Sequence, residues 1–318
     1  MTTNDTSAPA IEHHIGPSGR LAVKVASWDV DVTGVDGETA RVRSADGGSL
    51  PNAIEIERDG DSITIRQPNR IFGFGGGSNV HLKITVPLET AATIQTASGD
   101  VRVAGLRGRQ EIRTASGDIV LDGVADETSA ETVSGDIAIR VDGTVVLTVK
   151  TVAGDVMIDG GRVERIGLQT TSGDIRLTSQ LGAGPHTIGT VSGDAIVASN
   201  SGIRVTAQTV AGDLRTSLPH TSDGRPGRRS LVVGDGATEV AFRSVSGDLR
   251  VVDATTGGLS LPTPPTPPTA PSPPVPATTA AAPSDDERLD VLRAVERGEI
   301  DIVEASERLA RLDGTTDD

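Results

Sequence analysis

The chain has 318 residues, a net charge of −15 and no cysteine. Nucleic acid is not expected as a partner, because phosphate binding requires a basic face. Without cysteine there is no disulfide framework, thiolate metal site or cysteine nucleophile. No run of 18 apolar residues occurs, so direct membrane insertion is not expected either.

Residues 1–18 are predicted to be disordered. The first eleven residues lack the basic segment and the apolar stretch of a signal peptide. We therefore expect a cytoplasmic protein, with the cell surface, reached by another route, as the alternative.

Residues 19–90 are predicted to form an atypical capping part of a repeat domain. The run from Ser27 to Val32 follows a repeat that recurs downstream, with Trp28 where the repeat has glycine. Terminal repeats must cover an open core, so Trp28 is predicted to belong to an N-terminal cap. Alternating residues on both sides of Asp59-Gly60 predict a β-hairpin. A glycine-rich loop, residues 73–78, is interpreted as a flap, or else as a partner contact through Phe72 and Phe74.

The pentad Thr-x-(Ser/Ala)-Gly-Asp and close variants of it occur eight times in residues 91–252, mostly 18 to 20 residues apart. Apolar residues stand one and three positions after nearly every pentad aspartate, which is typical of a strand with one buried face. The position between them, and the position five residues before the aspartate, are expected to face water. The pentads end at Asp100, Asp118, Asp136, Asp155, Asp174, Asp194, Asp213 and Asp248.

A fixed period of this size predicts an all-β solenoid. The variable spacing favours a right-handed parallel β-helix with 18–20 residues per coil, spanning residues 19–252, over the stricter left-handed form. The alternative takes each Gly-Asp as the turn of an antiparallel hairpin. The last interval, 35 residues, is explained by an insertion at residues 221–230, which is expected to be a surface loop that carries Arg225, Arg228 and Arg229.

Residues 253–284 are rich in proline and threonine and predict a stiff polyproline II linker. Residues 285–313 then predict a small C-terminal α-helical pair, with capping boxes at Ser284 and Asp301. So short a pair cannot bury enough apolar surface to be stable alone, so we expect it to mediate self-association or to bind a protein partner. Its apolar stripes are Leu289, Leu292, Val295, Ile302, Leu309 and Leu312.

The tandem Ser-Gly-Asp-(Ile/Val)-x-(Val/Leu) coils resemble the bacterial family of unknown function labelled "putative adhesin". The tail, with its Gly298-Glu299-Ile300-Asp301 run, is similar to a short helical oligomerisation module that accompanies that family. The resemblance implies a right-handed β-solenoid without established catalysis, linked in some relatives to cell-envelope stress.

An enzyme is not expected. Glycoside hydrolysis needs two carboxylates in unlike environments, whereas a repeated aspartate offers like environments. The five histidines, His13, His14, His81, His186 and His220, form no triad or zinc motif. No cofactor is expected. A polysaccharide-acting β-helix enzyme is kept as a remote alternative.

The aspartate column has two interpretations. In the first, each carboxylate accepts a hydrogen bond from the backbone of its own or the next coil. In the second, the stacked charges bind divalent cations such as Ca²⁺. If strand alternation continues through the pentad, its Thr, Ser and Asp columns share one outer face. The candidate cation ligands are Asp118, Asp136, Asp155, Asp174 and Asp194.

The sequence therefore predicts a noncatalytic repeat protein, an adhesin-like scaffold that presents a long repetitive surface. The alternative functions are divalent-cation binding and action on polysaccharides.

Overall fold

The computed structural model describes residues 10–46, 50, 54–67, 80–199, 202–225 and 227–254. These residues belong to the first of two compact units, Met1–Leu259. The predicted proline-rich linker beyond Ala254, the predicted helical pair and the glycine-rich loop lie outside the described residues.

The described residues form strands joined by turns. The first seven strands are β1 Ile11–His14, β2 Arg20–Lys24, β3 Asp29–Val35, β4 Thr39–Ser44, β5 Glu55–Asp59, β6 Ser62–Arg66 and β7 His81–Pro87. The next nine are β8 Ala91–Gln95, β9 Val101–Ala104, β10 Gln110–Arg113, β11 Ile119–Glu131, β12 Ile137–Lys150, β13 Val156–Gln169, β14 Ile175–Leu181, β15 His186–Gly189 and β16 Ala195–Ser199. The last six are β17 Ile203–Ala211, β18 Leu214–Thr216, β19 His220–Arg225, β20 Arg228–Val233, β21 Thr238–Ser246 and β22 Leu249–Asp253.

Two parallel ladders form the faces of the solenoid. The first face stacks β7, β3, β9, β11, β12, β13, β14, β16, β22 and β18. The second face stacks β6, β2, β8, β10, β11, β12, β13, β15, β21 and β17. Strands β11, β12 and β13 contribute to both faces and bend between them at register shifts. The predicted parallel solenoid is confirmed, and the antiparallel hairpin alternative is wrong.

The core between the two faces is aliphatic, as the repeat predicts. Residues one and three positions after the aspartates are buried on the first face, for example Ile119 and Leu121. On the second face one inward column consists of Ile94, Ile112, Ala130, Val149, Leu168, Ile188, Phe242 and Ala207. Phe242 lies beside Ala207, so a small side chain leaves room for the ring in the neighbouring coil.

The coils do not all stack in sequence order. The coil of β2 and β3 lies between that of β6 and β7 and that of β8 and β9. At the other end, β21 and β22 lie between β15 and β16 on one side and β17 and β18 on the other. Trp28 is buried, but its coil is covered by the β6–β7 coil. Within the predicted capping part, residues 19–90, Trp28 therefore lies on the second coil from the end and not on the outermost one.

Antiparallel strands are added at both ends. Strand β4 pairs with β7 and β1 with β4, so the expectation of disorder for residues 1–18 does not hold at Ile11–His14. Strands β5 and β6 form the predicted hairpin around Gly60. The insertion at 221–230 is not a loop: β19 and β20 form a hairpin that pairs with β17. Strand β20 pairs with β17 and so supplies backbone partners to an end strand that would otherwise lack them on that side.

Candidate functional site

The pentads form the corner between the second face and the first. Each pentad glycine adopts a positive φ, for example 150° at Gly154. A Cβ at Gly154 would also overlap the carbonyl oxygen of Gly135 in the preceding coil. Only glycine permits both the backbone angle and the close approach of the two coils. The glycine column is therefore required by the stacking of the corners.

The pentad aspartates form one continuous hydrogen-bonded column, which we call the aspartate ladder. Oδ1 of each aspartate except the last, Asp213, accepts a hydrogen bond from the backbone N–H of the aspartate on the next coil, at 2.8–3.0 Å. This is the first of the two interpretations given by the sequence. In spatial order the ladder consists of Asp29, Asp100, Asp118, Asp136, Asp155, Asp174, Asp194, Asp248 and Asp213.

Arginines close the C-terminal end of the ladder. Asp213 receives hydrogen bonds from Arg215 and Arg229, each at 2.9 Å. These side-chain hydrogen bonds hold the pKa of Asp213 below its ordinary value. Arg229 belongs to the β19–β20 hairpin, so part of the basic cluster noted in the sequence neutralises the last carboxylate of the column.

The five candidate cation ligands, Asp118, Asp136, Asp155, Asp174 and Asp194, all belong to the ladder. Their Oδ1 atoms are engaged by backbone N–H groups, and successive carboxylates belong to different coils, about 4.8 Å apart. Among the described residues no group of three or more acidic or histidine side chains is arranged to hold a metal ion. The described part of the chain also contains no helix long and apolar enough to cross a membrane.

The pentad threonines face inward. Thr114, Thr132, Thr151 and Thr170 are only 5–6% exposed, so the expectation that the Thr, Ser and Asp columns share one outer face is wrong. The corner kinks the chain, and strand alternation stops there. The hydroxyl of Thr132 lies 3.5 Å from the carbonyl oxygen of Gly117 and donates to it. The threonine column thus packs beneath the glycine turns.

The residue after each threonine points outward and forms an apolar column. All the large hydrophobic side chains that are exposed in the described residues lie in it, between 46% and 85% exposed. We call this column the valine ridge. In spatial order, on successive coils, it consists of Val133, Val152, Thr171, Val191, Val245 and Val210.

A groove runs along the solenoid beside the valine ridge. It has a volume of about 680 Å³, and the buried threonines form its floor. The opposite rim is the column that lies five residues before each aspartate, with Arg113, Glu131, Lys150, Gln169 and Arg243. Past Arg243 the space continues to Val210 and Gly227, at the turn of the β19–β20 hairpin. We call this feature the axial groove.

The rim is rich in hydrogen-bond donors. Glu131 accepts from Arg113 at 3.2 Å and from Lys150 at 3.1 Å, and Arg113 also contacts Glu111. These side chains are substantially exposed, so the pairs contribute little to stability. They nevertheless hold cationic donors along one side of the groove. No aromatic side chain is among the residues that line it.

The axial groove was not predicted. The signal was present, because the variable position of the pentad is valine in five of the eight copies. The valines alone do not predict a groove. The prediction also requires knowing that the corner turns this position outward and the threonine before it inward. The six tail residues predicted to mediate association, Leu289 to Leu312, lie outside the described residues.

None of the five histidines was predicted to belong to a catalytic triad or a zinc site. Of these five, His186 is the one that is buried in the core. It is 2% exposed, and its Nε2 donates to the carbonyl oxygen of Gly182 at 3.0 Å. Burial lowers the pKa of His186. The ring packs in the core and is not among the residues that line the axial groove.

Comparison with known proteins identifies the coils. The family model described as "Toastrack DUF4097" matches residues 18–252. A solved structure named as a "putative cell adhesion protein" from Clostridium sporogenes is 11% identical, with a TM-score of 0.30, over 77% of this chain and 99% of that one. A "putative adhesin" from Bacteroides fragilis is 10% identical, with a TM-score of 0.47, over 76% of this chain and 96% of that one. None of the curated proteins matches the chain.

Proposed function

Because the chain belongs to the Toastrack DUF4097 family, we propose that it is a noncatalytic, adhesin-like repeat protein that binds an extended partner along the axial groove. The observation that carries this proposal is the valine ridge. Exposed apolar side chains on a soluble surface are normally scattered singly. Here they are gathered in one column beside a groove, where an elongated ligand can contact many coils at once.

The core supports binding rather than catalysis. The repeated corners place like residues in like environments, and the one carboxylate of the ladder that side-chain hydrogen bonds set apart, Asp213, is paired with two arginines at the end of the column. Catalytic acid and base groups normally sit in unlike environments that separate their pKa values. A long surface of repeated contacts instead binds an extended partner through the sum of many similar binding free energies, each of them small.

The proposal is tested by immobilising the full chain on beads and measuring the retention of bacterial cells. The variant Val133→Thr/Val152→Thr/Val191→Thr removes apolar contact while keeping side-chain shape, and Thr171 shows that the column accepts threonine. Retention should fall several-fold in this variant. The control is Val120→Thr, at a half-buried valine on the outer surface of the first face. Equal retention by the ridge variant and the wild type contradicts the proposal.

An adhesin-like role requires the coils to be at the cell surface, and the alternative is a binding partner inside the cell. Protease treatment of intact cells distinguishes these locations. Digestion of the protein in unbroken cells supports surface binding, and protection until lysis supports an intracellular partner. The link to cell-envelope stress that family likeness implies would be supported by raised expression after damage to the envelope.

We also propose that the tail associates with other chains, as its predicted leucine stripes suggest. Sedimentation of the full chain should give a dimer or larger species. Leu292→Asp with Leu309→Asp should reduce it to a monomer, because buried unpaired carboxylates oppose a packed helical interface. An unchanged sedimentation coefficient in the double variant would assign association to another part of the protein.

A further inference from the structure

The axial groove has the repeat of a polyproline II helix. Coils of a parallel solenoid are about 4.8 Å apart, so two coils span about 9.6 Å. A polyproline II chain rises about 3.1 Å per residue and repeats every three residues, or about 9.3 Å. Over four coils the two repeats differ by only about 0.6 Å.

Other extended polymers match less well. Two residues of a β-strand span about 6.7 Å, which falls between one coil and two. One turn of an α-helix rises 5.4 Å, so it drifts by about 2.4 Å over four coils. Sugars usually stack on aromatic rings, and no aromatic side chain is among the residues that line the groove.

The ridge offers a continuous set of valines at this two-coil repeat. Val152, Val191 and Val210 lie on every second coil, so all three positions of this register are valine. Val210, at the end beside the β19–β20 hairpin, is the most exposed of them, at 85%. A ligand with an apolar group every third residue could therefore place one group on each of these valines.

The rim fits the polar groups of a proline-rich chain. Proline has no backbone N–H, so such a chain offers mainly carbonyl acceptors, and polyproline II forms no internal hydrogen bonds. Arg113, Lys150, Gln169 and Arg243 supply donors along the rim. The threonine floor and valine ridge accept apolar rings without requiring a charge on the ligand.

The chain itself carries a segment of this chemistry. Residues 262–274 contain no charged residue, and a hydroxyl residue recurs at every third position. Eight of the nine other residues in this segment are proline. The hydroxyl residues are Thr263, Thr266, Thr269 and Ser272.

We propose that the axial groove binds residues 262–274 of a second copy of this chain in the polyproline II conformation. The inference rests on the proposed function, since it names the extended partner of the same groove. Proline rings lie on the valine ridge, and the rim donors bind the carbonyl groups between them. The result is a homotypic contact that links adjacent copies.

The first test uses the full chain with residues 262–276 replaced by a Gly/Ser linker of equal length. This replacement removes the chain's own proline-rich segment, so that only an added peptide can occupy the groove. A fluorescent peptide of residues 262–274 should bind saturably in an anisotropy titration. Val152→Thr with Val191→Thr should weaken binding about tenfold, because two apolar contacts are lost. Thr171→Val, on a coil between two of these contacts, and Val120→Thr, on the first face, should each leave binding nearly unchanged.

A peptide with every proline replaced by alanine is the matched ligand control and should bind at least tenfold more weakly. Gly189→Gln provides a second groove variant. A Cβ at Gly189 meets only ordinary contacts at 3.9–4.0 Å, so the longer side chain fills the rim without disturbing the coil. No saturable binding, or binding that is indifferent to the ridge variants, overturns the proposal.

The second test asks whether a second copy supplies the ligand. Two tagged baits, the wild-type chain and the linker-replaced chain, are each mixed with untagged linker-replaced chain. The wild-type bait should capture more of the untagged chain, because it alone supplies residues 262–274. Both baits keep the tail, so the difference separates this contact from association through the tail. Equal capture overturns the homotypic contact. A further outcome is that the ridge variants reduce the retention of cells although the peptide does not bind. That outcome would support the proposed function, overturn the homotypic contact and assign the groove to another ligand.

Discussion

The backbone N–H of Asp248 donates a 2.8 Å hydrogen bond to Oδ1 of Asp194, 54 residues earlier in the chain. Asp248 in turn accepts from Asp213 at 2.8 Å. The coil that comes last in the sequence therefore lies inside the stack, between two coils that come earlier in the sequence. The aspartate ladder therefore remains continuous although the chain doubles back. The β19–β20 hairpin pairs with β17 of the outermost coil.

The ladder predicts that Asp155→Ala destabilises the protein by about 1–2 kcal/mol, because the N–H of Asp174 loses its carboxylate acceptor. Asp155→Asn should cost much less, since its amide oxygen can still accept. Urea denaturation monitored by far-UV circular dichroism measures both. Similar losses in the two variants would show that charge, rather than the hydrogen bond, matters at this position.

Coupling between ladder residues should depend on their separation. The carboxylates of Asp155 and Asp174 lie on adjacent coils, about 4.8 Å apart, and repel each other, so a double alanine variant should differ from the sum of the single variants. Asp118 and Asp194 lie four coils apart, about 19 Å, and their effects should add. Double-mutant cycles in urea provide the measurement. Equal coupling in the two pairs would contradict a ladder built from nearest-neighbour contacts.

Two glycines should differ sharply in their tolerance of a side chain. Gly154→Ala is expected to destabilise the protein by about 3 kcal/mol or more, through backbone strain and overlap with Gly135. Gly189→Ala should change stability by less than about 0.5 kcal/mol, because its Cβ meets only ordinary contacts. Thermal melting of the two variants compares them directly. A tolerant Gly154 would mean that the corners can separate.

Stability should fall below the ordinary pKa of histidine because of His186. Burial lowers its pKa from 6.5 in the folded state, so the unfolded state binds more protons in that range. The free energy of unfolding is therefore complete above about pH 6.5 and decreases as the pH falls towards the lowered folded pKa. Melting between about pH 7.5 and pH 5 should show a decrease that His186→Leu reduces.

The matched control for this pH dependence is His220→Gln, at an exposed histidine. It should leave the slope of stability against pH unchanged. If His220→Gln and His186→Leu flatten the slope equally, burial of His186 is not its source.

Calcium should not stabilise the described coils, because Oδ1 of each candidate ligand is engaged by a backbone N–H. The melting temperature is expected to be the same with millimolar Ca²⁺ and with a chelator. Any ligand well above its dissociation constant that binds the folded state must raise stability. A rise that disappears in Asp136→Asn/Asp155→Asn would establish the cation-binding alternative.

The sequence by itself determined the repeat, the buried aliphatic columns and the glycine corners. Each of these depends on residues close together in one coil: the alternation after Asp118 makes a strand, and Gly117 makes a turn, whatever lies on the neighbouring coils. The hydrogen bond of each aspartate to the next coil also follows from the same corner being repeated at a constant spacing.

Only the tertiary structure decided the order of the coils and the direction of the pentad side chains. Nothing local to Asp248 distinguishes stacking on Asp213 from stacking on Asp194, since the two coils offer the same backbone groups. The kink at the corner likewise turns Thr151 inward and Val152 outward, against the alternation expected of a strand. The axial groove arises from that kink, because a surface shared by many coils exists only when they are stacked.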